Sequence, residues 1–137
     1  MDTKSRHFVA YEELGQTPNI VVDGSGNAAT VITLSHWPKS GTPKALKADT
    51  STEIVFNFLT ASRFHVAAAS VSNNHFDEDG LAGIYALIEP EAATAMRDLV
   101  VGVAHAGDFA TDGQPSAISG QGKRSDGRSQ ISLGEAL

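Results

Sequence analysis

Short apolar runs rich in β-branched residues alternate with helix-patterned segments through the first 110 residues, and this alternation constrains the fold most. The runs "PNIVVDG" (residues 18–24) and "TVITLSHW" (30–37) have the length and composition of strands. A third strand is predicted within "RFHVAAASVS" (63–72). Because only the turn-forming segment "GSGNAA" separates the first two strands, we expect them to pair as a hairpin.

Three helices are predicted around these strands. The first follows Thr50, which has capping-box spacing with Glu53, and the second covers residues 81–88. The third begins at Pro90, an imino acid suited to the first helical position, and extends through residue 107. Strand–helix–strand–helix order predicts an α/β domain with a mainly parallel sheet and helical crossovers.

The composition changes near Thr111. Residues 1–110 contain all nine aromatic side chains, whereas residues 111–137 contain five glycines, five serines and no aromatic residue. We therefore predict one α/β domain over residues 1–110 and a disordered tail over 111–137. A truncated or frame-shifted ending that is not the natural continuation of the domain is the alternative interpretation of this tail.

Charge and composition exclude several classes of function. The net charge of −6 argues against a broad basic surface for nucleic acid. With no cysteine, disulfides and thiolate metal sites are excluded, and the chain fits a reducing compartment. The N-terminus lacks the apolar region of a signal peptide, and no run approaches the ~18 apolar residues of a membrane span. We therefore expect a cytoplasmic protein without a membrane partner; its oligomeric state is not predicted.

The segment "NNHFDEDG" (residues 73–80) is the strongest candidate site. If it is extended, alternate side chains point the same way, so His75, Asp77 and Asp79 share a face. One imidazole and two carboxylates suit Mn²⁺ or Mg²⁺, and Gly80 permits the bend into a helix whose N–H groups could face a phosphate. The structural alternative is a solvated turn in which Asp77 or Asp79 caps that helix. An EF-hand fits less well, because a twelfth-position glutamate is missing.

Three further residues are candidates at strand ends or downstream. His36 is a candidate catalytic acid or base, although a histidine beside Trp37 also suits packing. Asp23 is a candidate metal ligand or a turn-forming residue. Asp108 is the remaining candidate metal ligand, and its spacing from His105 also suits a surface pair on a helix.

The segment "VSNNHFDEDGLAGIYAL" resembles the first motif of the DHH phosphoesterase superfamily, in which a hydrophobic strand leads into His-x-Asp-x-Asp-Gly and a helix. This resemblance implies that His75, Asp77 and Asp79 bind metal, and that a small phosphorylated substrate is hydrolysed by metal-activated water. The later Asp-His-His element of that superfamily does not occur in the sequence.

A wider set of segments, "NIVVDG", "TLSHWP", "DTSTE", "NNHFDEDGL" and "AGDF", is similar to an uncharacterised bacterial family. Two functions therefore remain open. One is a DHH-like phosphohydrolase dependent on Mn²⁺ or Mg²⁺, or a remnant of one. The other is a non-catalytic binding or interaction domain, or a truncated product, whose acidic turn is structural.

Overall fold

A computed structural model describes residues 5–111, with side chains described through Gly107. Its four strands form one parallel sheet in the order β1-β4-β2-β3. The strands are β1 (His7–Phe8), β2 (Asn19–Val22), β3 (Thr30–Leu34) and β4 (Ser70–Ser72), and the α-helices are α1 (Ser51–Thr60), α2 (Glu78–Ile88), α3 (Pro90–Ala95) and α4 (Arg97–Thr111). The predicted α/β class with a parallel sheet is confirmed.

The predicted hairpin between the first two strands is wrong. β2 and β3 are neighbours, but they run parallel, with Val22 paired to Leu34. The seven-residue connection 23–29 therefore carries the chain back to the start of β2 before β3 begins. Asp23 adopts a φ of +57° at the reversal, a left-handed conformation that aspartate tolerates better than most side chains.

The predicted helices are present with shifted ends. Thr50 caps α1, accepting a hydrogen bond from the backbone N–H of Glu53. α2 begins at Glu78, three residues earlier than predicted, because the carboxylate of Asp77 caps it. The single helix predicted after Pro90 is interrupted at Met96, between α3 and α4.

The third predicted strand is shorter than its sequence pattern indicates. Only Ser70–Ser72 of residues 63–72 form β4, and a 3₁₀ helix covers Ser62–Phe64. His65, which is half-buried, lies beyond that helix with its Nε2 2.8 Å from the carbonyl oxygen of Phe58. Apolar character in this segment therefore reflects packing rather than sheet pairing.

Helices α1 and α2 pack against each other, and α4 packs against α2. Ile20 and Val22 of β2 join side chains of these helices in the main hydrophobic core. A Cβ atom at Gly83 of α2 would lie only 2.7 Å from Cγ1 of Val22. This close approach fixes α2 directly over β2, so that the start of α2 lies near the end of that strand.

No helix in the described part of the chain is long and apolar enough to cross a membrane. The predicted disordered tail lies almost entirely outside the described residues, since only Thr111 of the segment 111–137 is among them.

Candidate metal centre

The candidate side chains follow three adjacent strands of the sheet. Asp23 comes directly after β2, His36 lies two residues after β3, and residues 75–79 follow β4. Because β3, β2 and β4 are neighbours and parallel, their carboxyl ends meet at one edge. Ligands of parallel α/β sheets commonly bind at this edge. The topology therefore places all three segments around one crevice.

Asp23 is at the centre of this crevice and is only 1% exposed. Its Oδ1 atom accepts hydrogen bonds from the hydroxyl of Ser51, at 2.7 Å, and from Nε1 of Trp37, at 3.1 Å. Its Oδ2 atom is buried and accepts no hydrogen bond from the described residues. Leaving a buried carboxylate oxygen unsatisfied is costly, which marks this atom as a candidate ligand for a cation.

The unsatisfied oxygen of Asp23 faces His75 and Asp77. Nε2 of His75 lies 3.3 Å from Oδ2 of Asp23 and 3.2 Å from Oδ2 of Asp77. One ligand atom from each of the three residues lies within 4.8 Å of the others. These residues, called triad A below, could hold one divalent cation.

His36 and Asp79 form a second group with Asp23, called triad B. Nε2 of His36 lies 3.4 Å from Oδ1 of Asp23 and 3.6 Å from Oδ2 of Asp79, and the ligand atoms again lie within 4.8 Å of one another. The two oxygens of Asp23 thus face different histidines. Asp23 is therefore shared by both triads.

The expectation that His75, Asp77 and Asp79 share one face is wrong for Asp79. The chain is already helical at Asp79, which is 2% exposed and turns toward the start of α1. There it accepts hydrogen bonds of 2.8 Å from the backbone N–H groups of Ser51 and Thr52, and one of 2.7 Å from the hydroxyl of Thr52. Asp79 therefore ties the beginnings of α1 and α2 together.

Several amides at the two helix starts already have partners within the protein. The N–H of Gly80 donates to Oδ1 of Asp77, and those of Ser51 and Thr52 donate to Asp79. The predicted capping role of the acidic turn is thus confirmed for Asp77. That role leaves Oδ2 of Asp77 directed at His75, so capping and metal binding use different oxygens of one carboxylate.

Burial raises the pKa of Asp23 from 3.8 to about 8. The hydroxyl of Ser51 lowers this pKa, whereas the nearby carboxylates of Asp77 and Asp79 raise it further. A carboxylate surrounded by negative charge in a buried position favours a proton or a cation as its partner. The electrostatics of the crevice therefore agree with a cation-binding role.

The donor set fits a hard divalent cation. Imidazole nitrogens and carboxylate oxygens suit Mn²⁺ or Mg²⁺, and the sequence contains no thiolate that would favour a structural zinc. Triad A is the more available group, because Oδ2 of Asp23 accepts no hydrogen bond from the described residues. In triad B the carboxylate of Asp79 is already engaged by three donors.

The prediction that Asp108 binds metal is not tested by the structure, and His105, its predicted surface partner, lies close to another acid. The backbone of Asp108 lies in α4, and its side chain lies outside the described part of the chain. His105 faces Glu53 of α1, with 3.3 Å between Nε2 and Oε1. Sequence reasoning ranked Asp23 and His36 second, although their positions after two adjacent strands are the signal that identifies them.

A cavity of about 230 Å³ opens beside triad A. Its walls include Lys39, Trp37 and His75 itself, together with small polar residues from the three loops that follow β2, β3 and β4: Ser25, Ser40 and Asn74. A small polar ligand can therefore reach the crevice from solvent.

No curated protein and no solved structure matches the chain. A family model described as a family of unknown function (DUF6687) matches residues 4–120. The match includes every residue of both triads, and the chain belongs to this family.

Proposed function

We propose that this protein is a hydrolase of small phosphate esters that depends on Mn²⁺ or Mg²⁺. The observation that carries the proposal is the pair of triads that share Asp23, a buried carboxylate with one unsatisfied oxygen. Sites with two cations about 3.5–4 Å apart are common in enzymes that cleave phosphate esters. Asp23, His75 and Asp77 would hold one cation, and Asp23 also faces the second group of possible ligands, His36 and Asp79.

Cations bound there would supply a nucleophilic water at neutral pH and neutralise charge on the phosphate. The chain's own residues hold and orient the site. Asp77 is fixed by its bond to the N–H of Gly80, and Asp79 by the N–H groups at the start of α1. Anchored carboxylates need little reorganisation to bind a charged group, which favours catalysis by a preorganised site.

His36 is assigned to proton transfer. Its side chain is 27% exposed, so Nε2 contacts both the buried carboxylates and the solvent-accessible part of the crevice. A histidine can gain and lose a proton near neutral pH, and a carboxylate within about 3.5 Å orients its ring. While no cation occupies triad B, Nε2 of His36 is therefore available to pass a proton to the departing alcohol.

The cavity beside triad A is suited to the phosphate group itself. Lys39 brings a positive charge to a protein whose net charge is −6, and Ser25 brings a hydroxyl donor. Charge-assisted hydrogen bonds to phosphate oxygens are among the stronger polar contacts in proteins. This local charge offsets the repulsion that an acidic protein would otherwise exert on an anionic substrate.

The resemblance of the acidic motif to the first motif of the DHH phosphoesterases supports the same reaction class. In this proposal Asp23, which follows an earlier strand, provides a ligand that the Asp-His-His element would otherwise provide. The DHH relationship remains a prediction.

A non-catalytic domain with a structural acidic turn is the second candidate. It is favoured by the helix-capping bond of Asp77 and by the contacts of Asp79 with α1. Replacing those two aspartates would disturb folding under either function. Asp23 separates the functions better, because its Oδ2 makes no hydrogen bond with the described residues.

The test is calorimetric titration of the metal-free protein with Mn²⁺, using Asp23→Asn as the variant and Asp98→Asn as the control. Asp98 is an exposed acid on α4, away from both triads. We expect saturable binding in the wild type and the control, its loss in Asp23→Asn, and Mn²⁺-dependent hydrolysis of p-nitrophenyl phosphate. Absence of Mn²⁺ binding by the wild type would establish the structural alternative.

A further inference from the structure

Ser51, the first residue of α1, connects both carboxylates of triad B. It is fully buried, and its hydroxyl donates to Oδ1 of Asp23 at 2.7 Å while its backbone N–H donates to Oδ2 of Asp79 at 2.8 Å. These two oxygens are the same ones that face Nε2 of His36. The carboxylate atoms that a cation at triad B would need are therefore already bonded to the donors of one residue.

Trp37 adds a second donor to the same oxygen of Asp23. Its Nε1 lies 3.1 Å from Oδ1, and each oxygen of a carboxylate has about two lone-pair sites, so Trp37 and Ser51 together use both. The N–H groups at the start of α1, which carry the positive end of the helix dipole, also point at Asp79. These donors make triad B unfavourable for a cation.

The ligand atoms of triad A have no such donors. Nδ1 of His75 lies 3.1 Å from the side-chain oxygen of Asn74, which can only accept a hydrogen bond, so this contact favours the proton on Nδ1. Nε2 of His75 then presents a lone pair to the Oδ2 atoms of Asp23 and Asp77, at 3.3 and 3.2 Å. Three atoms that face one another with lone pairs require a positive charge between them. A cation supplies that charge, as a proton does in the metal-free protein.

We infer that the crevice binds one cation, at triad A, and that triad B is a hydrogen-bonded group reserved for proton transfer. The inference rests on the proposed function and adds the number of ions. It also has a consequence for the reaction: the departing alcohol is stabilised by a proton from His36 and not by a second cation. Carboxylates of Asp23 and Asp79 within 3.6 Å orient the imidazole for this transfer.

The protons balance with His36 in this role. As the bond between phosphorus and the ester oxygen breaks, Nε2 of His36 gives its proton to that oxygen, so the alcohol leaves neutral. The attacking water supplies the oxygen that bonds to phosphorus, and its released proton, returned through solvent, restores His36. A histidine suits this cycle because it gains and loses a proton near neutral pH.

The test begins with calorimetric titration of the metal-free protein and of two variants with Mn²⁺. We expect one ion per chain in the wild type. His75→Ala should lower the affinity by at least about 100-fold, because losing a ligand costs more than losing a hydrogen-bond partner of a ligand. His36→Ala removes no ligand and should change the affinity by less than about fivefold.

Both variants should fold, because the side chains of His75 and His36 are 38% and 27% exposed. Far-ultraviolet circular dichroism checks this. His7→Ala is the matched control: it replaces an exposed histidine of β1 that belongs to neither triad, and it should leave both the affinity and the number of bound ions at their wild-type values.

Two substrates then test the proton transfer at saturating Mn²⁺. p-Nitrophenolate leaves readily without a proton, whereas the phenolate of phenyl phosphate needs one more. In His36→Ala we expect kcat for phenyl phosphate to fall by about 100-fold and kcat for p-nitrophenyl phosphate to fall by less than about tenfold, since general acid catalysis contributes most to the poorer leaving group. Loss of a purely structural contact would lower both by the same factor.

Three results would overturn the inference and leave a metal-dependent hydrolase standing. The first is a second Mn²⁺ in the wild type that His36→Ala removes. The second is an equal loss of Mn²⁺ affinity in His36→Ala and His75→Ala, which would make His36 a ligand. The third is an equal fall in kcat for the two substrates. If the wild type binds no Mn²⁺, the proposed function fails and the inference fails with it.

Discussion

Asp23→Asn should make the metal-free protein more stable while abolishing its metal binding. Asparagine has nearly the same shape as aspartate and tolerates the φ of +57° at this position. Its carbonyl oxygen can accept the hydrogen bonds from Ser51 and Trp37. Its amide nitrogen can donate toward the carboxylate of Asp77, beside the position where the wild type has a buried oxygen that accepts no hydrogen bond from the described residues.

The magnitude follows from the pKa of Asp23, which burial raises from 3.8 to about 8. Between these two values the folded protein keeps the proton and the unfolded chain releases it, so wild-type stability falls as the pH rises. Each pH unit in this window changes the free energy of unfolding by about 1.4 kcal/mol. At pH 7 the free energy of unfolding of the wild type has fallen by about 4 kcal/mol relative to pH 4. The asparagine variant avoids this loss, but imperfect hydrogen bonding by its amide reduces its expected advantage over the wild type to about 2–4 kcal/mol.

Urea denaturation followed by far-ultraviolet circular dichroism, in the presence of a chelator, measures this gain across the pH range. We expect the variant and the wild type to be equally stable near pH 4 and to diverge steadily toward pH 8. Mn²⁺ at more than about 1,000 times its dissociation constant should reverse the order at pH 7, because it then stabilises the wild type by about 4.1 kcal/mol or more. A variant that is less stable than the wild type at pH 8, or a difference that does not change with pH, would refute the reasoning.

Glycine substitutions in the helices test the geometry of the site and of the fold. Gly80→Ala places a methyl group 2.5 Å from Nδ2 of Asn73 and 3.2 Å from Oδ1 of Asp77. The turn that carries His75 and Asp77 must then shift, so Mn²⁺ affinity measured by calorimetry should fall by about tenfold. Gly102→Ala, on α4 where a Cβ meets no atom within 4 Å, is the control and should add about 0.5–1 kcal/mol of stability without changing that affinity. Gly83→Ala should lower the free energy of unfolding by about 1–2 kcal/mol in urea denaturation, because the methyl group would overlap Val22; a stabilised variant would contradict the described packing of α2 on β2.

Most strands and helices were predictable because short sequence patterns specify them locally. The capping box at Thr50, the proline at the start of α3 and the β-branched runs each determine structure within a few residues. The direction of β3 was not predictable in this way. A seven-residue connection normally suggests a hairpin, and only the packing of the whole sheet decides that the chain returns and runs parallel.

The same distinction applies to the candidate site. His75 and Asp77 were identified from one contiguous motif, whereas Asp79 was assigned to the wrong face because the start of α2 could not be located to within one residue. Asp23 and His36 are distant in sequence from that motif. Their convergence depends on the strand order, which places β2 between β3 and β4.

The structural and functional interpretations of the acidic turn do not exclude each other. Asp77 uses one oxygen to cap α2 and directs the other at His75. Asp79 anchors the start of α1 while its Oδ2 lies 3.6 Å from His36. A turn that served folding alone would gain nothing from the ionised form of Asp23, which burial disfavours and whose Oδ2 makes no hydrogen bond with the described residues. The buried carboxylate of Asp23, rather than the carboxylates of Asp77 and Asp79, is therefore the feature that most strongly indicates a cation site.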